Sequence, residues 1–247
     1  MNDQTLLKYV RRTVQKYDLI REGDRIAVGV SGGKDSLALL YALSRLRHFY
    51  PVPFSLTAIS VDLGFSMDYG SIRSFSESLG VPFLLEKTDI ARIVFDEKKE
   101  KHPCSLCANM RRGALTNAAE REGMNKLALG HHRDDLLSTL MLNLIYEGRF
   151  YSYAPYTFYE DRRISLIRPL LETPEAVVRG IVRAKNFPVL PNSCPKDHAT
   201  RRTEMETLNQ ELARRYPGFK DRLFHAVASS DIPDWKDLRI RMTDEED

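Results

Sequence analysis

The sequence of 247 residues contains no apolar run that approaches the ~20 residues needed to cross a bilayer. Its first residues, MNDQTLLKYVRRTVQKY, include no uninterrupted apolar core, so they are not typical of a secretory signal. Internal repeats and low-complexity linkers are also absent. These absences predict a cytoplasmic protein without a membrane partner. The 43% of apolar and 29% of charged residues are ordinary for a globular chain.

The chain has little excess of charge of either sign, because 37 Lys and Arg stand against 34 Asp and Glu, a formal net charge of +3. A balance this mild does not by itself indicate nucleic-acid binding. Basic residues do cluster locally, at Arg111-Arg112 and at Arg201-Arg202. These clusters say slightly more than the net charge, with solvated helix faces as the alternative.

The most informative stretch is IAVGVSGGKDSLALL, at residues 26–40. An apolar, β-branched run is followed by a glycine-containing turn, and an apolar helical pattern begins directly after it. The two glycines allow a tight turn and the close approach of a ligand. The N-terminus of the following helix favours an anion. We therefore predict a phosphate-binding loop, formed by Val30, Ser31, Gly32, Gly33, Lys34, Asp35 and Ser36.

This loop differs from a Walker A motif. Three residues separate Gly29 from Gly33 where that motif has four, and Asp35 stands where it has Ser or Thr. A carboxylate beside polyphosphate is unfavourable unless it holds a metal ion, so we predict that Asp35 contacts Mg²⁺. The alternative is a glycine turn in which Ser36 caps the helix. The segment resembles the PP-loop, SGGKDS, of the N-type ATP pyrophosphatases, which cleave ATP to AMP and pyrophosphate while adenylating a substrate.

Strand patterns alternate with helix patterns along the chain, which predicts a Rossmann-like α/β fold with a parallel five-stranded sheet and helices on both faces. The PP-loop resemblance implies the adenine nucleotide alpha hydrolase-like type of this fold. The predicted strands lie at residues 25–30, 54–61, 81–85, 126–129 and 165–167. The expected parts are an N-terminal helix at 1–22, the main domain at 23–200, and a helical C-terminal extension at 201–247 that packs on the same domain.

Three polar segments each follow a predicted strand: residues 31–36, Asp62-Leu63-Gly64 and Gly130-His131-His132. In parallel sheets, ligands bind at the carboxyl ends of the strands, where the direction of winding switches. We therefore predict that the three segments form one site.

The chain has three cysteines, Cys104 and Cys107 in HPCSLC and Cys194 in PNSCPKD. A C-x-x-C pair can form a redox disulfide, half of a zinc site or part of an iron–sulfur site. Redox chemistry is disfavoured because a third cysteine is left over, and zinc would need a fourth ligand such as His102 or His198. Three thiolates can hold an iron–sulfur cluster that leaves one iron open. Buried apolar cysteines are the remaining alternative.

Residues 104–135, CSLCANMRRGALTNAAEREGMNKLALGHHRDD, closely resemble the tRNA 2-thiocytidine synthetase family. In that family a C-x-x-C pair, an R-R-G-A-L helix, a G-H-H-x-D-D segment and a later lone cysteine occur in this order. The resemblance extends over residues 24–224 and includes IRPL at 167–170. It implies an ATP-dependent thiolation of a cytidine, cytidine 32, in tRNA. The implied cofactors are ATP, Mg²⁺ and a 4Fe–4S cluster, and the implied partners are tRNA and a sulfur donor, either a desulfurase-type protein or free sulfide.

The resemblance also implies residue roles, carried over by position. The catalytic residues would be Lys34, Asp35, His131 and Asp135. Besides residues 30–36, the nucleotide would lie beside Asp62, Gly64 and Gly130, and the cluster would be held by Cys104, Cys107 and Cys194. With an RNA substrate, the candidate contacts to its phosphates are Arg111, Arg112, Arg201 and Arg202, and solvated helix faces are the alternative.

The G-H-H-x-D-D segment carries further expectations. We expect His131 to move protons near neutral pH and His132 to have a structural role. Asp134 fits a helix cap.

Several alternatives remain open on the sequence alone. The first is thiolation of a tRNA uridine. The second is a lysidine-type or amidating PP-loop ligase, which would leave the cysteines without a role. The third is an ATP-binding module without turnover. The terminal helices also raise the expectation of a homodimer.

Overall fold

The computed structural model describes residues 3–65, 67–98, 103–158, 163–191 and 201–243. Helices and strands alternate through most of the chain. In order, they are α1 (Asp3–Lys16), β1 (Arg25–Gly29), α2 (Lys34–Leu46), β2 (Ser55–Asp62), α3 (Gly70–Ser78), β3 (Phe83–Lys87), a π-helix (Arg92–Glu97), α4 (Pro103–Arg121), β4 (Lys126–Ala128), α5 (Arg133–Glu147), β5 (Tyr156–Phe158), β6 (Ser165–Ile167), α6 (Glu175–Ala184), α7 (Arg201–Arg215), α8 (Phe219–Ala228) and α9 (Pro233–Thr243).

Six strands form one sheet, in the order β3-β2-β1-β4-β6-β5. The neighbours from β3 to β6 pair in parallel, and β5 pairs antiparallel with β6. The predicted α/β fold with a parallel sheet is confirmed, but the prediction of five strands is one too few. The missing strand, β5, is three residues long and lies at the end of the strand order, in a tyrosine-rich segment without apolar alternation.

Both faces of the sheet are covered, because successive side chains of a strand point to opposite faces. From β1, Val28 joins a large core that includes most of α2. Ala27 joins a smaller core with Ala118 and Ala119 of α4. Because β1 is buried on both faces, its carboxyl end, and the PP-loop that follows it, is held in a fixed position.

The first helix after β1 is almost fully enclosed. Ten of the 13 residues of α2 are buried, in agreement with the apolar run LALLYAL at residues 37–43. Since α2 cannot shift without disturbing the core, its N-terminus is held at the carboxyl edge of the sheet.

The C-terminal helices pack on the same body. Helix α7 lies along α5, and α8 contacts both. Trp235 of α9 is buried and makes edge contacts with Tyr17 and Phe224, at 6.0 and 6.1 Å between ring centroids. No helix in the described part of the chain combines the length and the apolar composition needed to cross a membrane.

Candidate active site

The PP-loop, residues 31–36, has the backbone of an anion site. Gly32 has a φ of +84°, and a Cβ there would lie 3.1 Å from the side chains of Ile72 and Leu190, so only glycine fits. Gly33 is the N-cap of α2 and makes no side-chain capping hydrogen bond. The first amide groups of α2 are therefore available to a ligand, and the helix dipole favours a negative one.

Two of the predicted phosphate contacts, Ser36 and Val30, are buried and make hydrogen bonds within the protein. The Ser36 hydroxyl is buried, accepts the Ser31 N–H at 3.1 Å and donates to the Gly33 carbonyl at 2.9 Å. Val30 is also buried; its N–H donates to Ile59 at 2.8 Å, and its carbonyl accepts the hydroxyl of Ser60 at 2.6 Å. Ser31 is exposed at the mouth of the loop.

The charged residues of the loop face α5 and α6. Lys34 Nζ lies 3.0 Å from Asp35 Oδ2 and 3.4 Å from Glu175 Oε1. Burial lowers the pKa of Lys34, but Asp35 and Glu175 outweigh it, and the pKa is raised. Lys34 is therefore a cation. Glu175 was not predicted as a site residue; the only sequence signal is its place in the first turn of a predicted helix.

A second loop of the site is the start of α5, where His132 is the N-cap. Its Nδ1 accepts the Asp135 N–H at 3.3 Å, and Asp135 Oδ2 accepts the His132 N–H at 2.9 Å, which completes a capping box. The prediction that Asp134 caps this helix is wrong, because a ring nitrogen of His132 takes that place. Asp134 instead accepts the Glu175 N–H at 2.8 Å and pairs with Lys220.

Asp135 connects this loop to the C-terminal helices. Its Oδ1 accepts from Arg202 Nη2 at 2.7 Å. Burial raises the pKa of Asp135, but His132 and Arg202 lower that pKa by more. The net pKa is therefore lowered, and Asp135 is an anion. Arg202, predicted to contact RNA, is engaged here within the protein. Arg201 is exposed and stacks over the ring of Tyr146 at 4.4 Å.

His131 packs against an aromatic ring. Its ring centroid lies 5.0 Å from that of Tyr153, and Arg168 lies over the same tyrosine at 4.7 Å. Burial, followed by the charge of Arg168, lowers the pKa of His131 to about 3. The expectation that His131 titrates near neutral pH is therefore wrong in this environment. Its Nδ1 is buried and has no hydrogen-bond partner within the described ranges.

Gly130 joins the end of β4 to the PP-loop by close packing. A Cβ on Gly130 would lie 2.9 Å from the carbonyl carbon of Asp35 and 3.0 Å from the amide nitrogen of Ser36. Any side chain here would press on the first turn of α2.

A cleft of about 370 Å³ opens between the PP-loop and α4. Its lining includes Ser31 and Gly33 of the PP-loop and Cys104, Cys107 and Arg111 of α4. The walls are mainly apolar, from Val61, Leu63, Phe65, Met67, Tyr69, Phe95, Ala108, Leu190 and Pro191. The two motifs that the sequence singles out separately therefore line one cavity.

The turn after β2 forms part of this cleft. Asp62 Oδ1 accepts the Gly64 N–H at 2.9 Å, and Gly64 has a φ of +91°, so these two predicted nucleotide contacts shape the turn. The neighbouring Leu63 and Phe65 provide the surface that faces the cleft. The sequence reasoning missed this wall, although its signal is an apolar pair directly after a strand.

The two cysteines of α4 lie one turn apart at the start of the helix, Cys104 exposed and Cys107 half-buried. This spacing puts both thiols on the same side of the helix. Cys194, and the zinc-ligand candidates His102 and His198, lie outside the described residues. Within the described residues, no group of three or more His, Cys, Asp or Glu could hold a metal ion.

The two adjacent arginines of α4 have different surroundings. Arg111 lines the cleft. Arg112 is exposed and donates to Asn109 at 2.9 Å. Only the first of this predicted pair therefore faces the candidate site.

Comparisons with known proteins find relatives over most of the chain. The PP-loop domain family model matches residues 4–211. The chain is 38% identical over 248 aligned residues to a tRNA-cytidine(32) 2-sulfurtransferase from Anaeromyxobacter dehalogenans, covering 98% of the chain and 85% of that relative. It is 39% identical to a tRNA-cytidine(32) 2-sulfurtransferase from Bordetella avium, covering 90% and 72%.

Solved structures show the same fold. The U34-tRNA thiolase NcsA from Methanococcus maripaludis, determined with its 4Fe–4S cluster, matches with a TM-score of 0.75 at 24% identity, over 90% of this chain and 77% of that one. An NH3-dependent NAD synthetase from Campylobacter jejuni matches with a TM-score of 0.50 at 14% identity, over 91% and 92%. The structural similarity shows the fold, and the sequence matches show the family to which the chain belongs. The chain belongs to the PP-loop domain family and, within it, to the family of the tRNA-cytidine(32) 2-sulfurtransferases.

Proposed function

We propose that the protein is an ATP-dependent tRNA sulfurtransferase that replaces the C2 oxygen of cytidine 32 with sulfur. The observation that carries this proposal is that the PP-loop and the two cysteines Cys104 and Cys107 line the same cleft. An enzyme that activates an oxygen and then substitutes sulfur needs both chemistries next to one base. The relatives named for this reaction match the chain over nearly its whole length.

The PP-loop would carry out the activation. The C2 oxygen of a pyrimidine is a poor leaving group, and transfer of the adenylyl group of ATP to it releases pyrophosphate and converts it to a group that departs as AMP. The amides at the start of α2 and the Lys34 ammonium would stabilise the charge that develops on the phosphates. Lys34 would exchange its contacts with Asp35 and Glu175 for the phosphate oxygens.

Asp35 fits the proposed Mg²⁺ contact. Mg²⁺ in nucleotide sites is bound by one or two carboxylates together with phosphate oxygens. When Lys34 turns to the phosphates, Asp35 Oδ2 loses its 3.0 Å contact and becomes available to the metal ion. The side chain of Asp35 is 28% exposed, so a nucleotide-bound ion can reach it.

Cys104, Cys107 and Cys194 would hold a 4Fe–4S cluster. Thiolates are the ligands that such clusters prefer. Cys194 follows Pro191, a cleft residue, by three positions, and three residues span at most about 11 Å. When bound, the cluster supplies the sulfur-transfer chemistry, with sulfur from a donor protein or free sulfide. The residues of α4 would hold this chemistry in the cleft that the PP-loop also lines.

The apolar cleft would receive the target base. A base in a stacked anticodon loop has to leave its stack to reach an enzyme site, and aromatic side chains can stack with it. Phe65, Tyr69 and Phe95 provide such surfaces in the cleft. Arg111, which also lines the cleft, would contact an RNA phosphate.

Nucleoside mass analysis of tRNA tests the proposal. Cells lacking this protein should lose 2-thiocytidine and retain 2-thiouridine, and the wild-type gene should restore the lost nucleoside. Loss of a thiouridine instead would support the uridine alternative, and unchanged thionucleosides would overturn the proposal.

Anoxic purification separates sulfur transfer from the ligase alternative. The proposed enzyme should contain iron and acid-labile sulfide. A colourless protein without either would be inconsistent with a cluster and would leave the three cysteines without the proposed role.

A further inference from the structure

His132 presents its two ring nitrogens to two different parts of the site. Nδ1 accepts the Asp135 N–H at 3.3 Å and caps α5. Nε2 lies 3.4 Å from Asp35 Oδ1 in the PP-loop. The residue is 3% exposed, so both contacts are shielded from bulk water. One buried side chain therefore connects the start of α5 to the loop that would bind ATP.

Nε2 of His132 carries a proton in either charge state of the ring. In the neutral ring Nδ1 accepts from the Asp135 N–H and the proton lies on Nε2, and in the charged ring both nitrogens carry one. The contact at 3.4 Å therefore places an N–H group of His132 against the carboxylate of Asp35. Asp35 Oδ1 is buried and has no hydrogen-bond partner among the described residues, so the 3.4 Å approach of His132 Nε2 is an ion-pair contact and not a formed hydrogen bond. Asp35 Oδ2, on the other side of the carboxylate, is the oxygen that contacts Lys34.

We propose that His132 is a positioning residue that holds Oδ1 of Asp35 so that Oδ2 faces the metal ion of the bound nucleotide. This inference rests on the proposed function, because it requires Asp35 to contribute to Mg²⁺ binding. The terminal torsion of an Asp side chain is broad. Without the Nε2 contact, the carboxylate can rotate and pair with Lys34 through either oxygen, in competition with the metal.

The size of the effect follows from other metal sites. A hydrogen bond to a metal-binding carboxylate fixes its orientation, and removal of the donor typically costs about 10- to 100-fold in metal affinity. The 3.4 Å separation is long for a hydrogen bond. We therefore expect the low end of this range.

Two substitutions of His132 separate the cap from the contact with Asp35. Asn places an acceptor close to the position of Nδ1 and is among the most favourable N-cap residues, but it is too short to reach Asp35. Gln places an amide N–H close to the position of Nε2 and lacks the short acceptor that caps the helix. Each variant therefore keeps one of the two contacts.

The experiment measures binding of α,β-methylene ATP to the cluster-containing protein by calorimetry, in EDTA and across a series of Mg²⁺ concentrations, together with thermal unfolding. His132→Asn should melt like the wild type and need about tenfold more Mg²⁺ for half-maximal binding. His132→Gln should keep the wild-type Mg²⁺ dependence and melt about 2–4 °C lower, because the cap is lost. In EDTA the three proteins should bind the nucleotide equally.

A wild-type Mg²⁺ dependence in folded His132→Asn would overturn the inference and leave the proposed function intact. Equal weakening in both variants would assign to His132 a capping role only and would also overturn it. If the wild-type protein bound the nucleotide no better with Mg²⁺ than in EDTA, the role proposed for Asp35 would fail, and the inference with it.

Discussion

His131 is a neutral residue at physiological pH because of its surroundings. It packs against Tyr153, near the positive charge of Arg168, and its burial penalises the charged ring. A neutral imidazole can donate or accept a hydrogen bond, but it cannot begin a reaction as a general acid. We therefore expect His131 to orient a substrate group and not to supply the proton.

This can be tested on the residue itself. In protein labelled with 15N in its histidine rings, we expect the ring of His131 to stay neutral from about pH 8 to about pH 5, a range in which an unperturbed imidazole becomes charged. The pKa of about 3 is the reason. The His131→Asn variant identifies the signal by its loss. A signal from His131 that titrates near the ordinary value would contradict the prediction.

The sequence allowed some of these residues to be identified and not others. Residues 31–36 were recognisable because a strand, a glycine turn and a helix follow one another in the chain. The contact of Lys34 with Glu175 was not, because the two are brought together only by the packing of α6 beside α2. The same applies to the contact between Arg202 and Asp135. The basic pair at residues 201–202 had suggested that Arg202 contacts RNA.

At the scale of elements, the PP-loop is held by its neighbours as well as by its own hydrogen bonds. The end of β4 passes against the first turn of α2 at Gly130, where there is no room for a Cβ. The backbone of Asp35 and Ser36 is the surface that a larger residue would strike. The position of the loop therefore depends on a glycine that need not touch the nucleotide.

We predict that Gly130→Ala lowers the free energy of unfolding by about 1–3 kcal/mol, as overpacking of a core does, and weakens nucleotide binding. The added methyl would lie 2.9 Å from a backbone atom of Asp35 and would displace the start of α2. Urea denaturation and calorimetry with α,β-methylene ATP measure the two effects.

Gly113→Ala is the matched control. Gly113 lies within α4, and a Cβ there would meet nothing within 4 Å. Alanine in a helix interior is more favourable than glycine by about 0.5–1 kcal/mol, so this variant should be slightly more stable and bind the nucleotide normally. Equal stability of both variants would show that Gly130 is not tightly packed.

Element type was easier to predict than element number. The order of the predicted strands followed from apolar patterns, and α7 begins at residue 201, where the predicted helical extension begins. The strand β5 was missed because two half-buried residues and an exposed one carry no periodic signal. The helix α9 lies within the predicted helical extension at 201–247.

At the scale of the whole molecule, the fold brings two separate chemistries to one cleft. The PP-loop follows β1, and the cysteines begin α4, which packs on the opposite face of the sheet from α2. The sequence indicated that strand ends would converge, because parallel strands share one carboxyl edge. It did not indicate that α4 would begin there, since the segment between β3 and α4 contains a π-helix with no recognisable sequence signal.

The arrangement predicts that the two parts of the cleft can be disabled independently. Lys34→Ala removes the cation of the PP-loop and should abolish pyrophosphate release while leaving the iron content unchanged. Cys104→Ala removes one thiolate and should lose iron and thiolation while retaining binding of α,β-methylene ATP, because Cys104 belongs to α4 and not to the PP-loop. Iron analysis, a pyrophosphate assay with tRNA and calorimetry on the same anoxic preparations measure these properties.

Arg112→Ala, on the exposed side of α4, is the control and should keep all three. Loss of iron from Lys34→Ala, or loss of nucleotide binding from Cys104→Ala, would mean that the two parts depend on each other for folding. The cleft would then have to be treated as one inseparable unit.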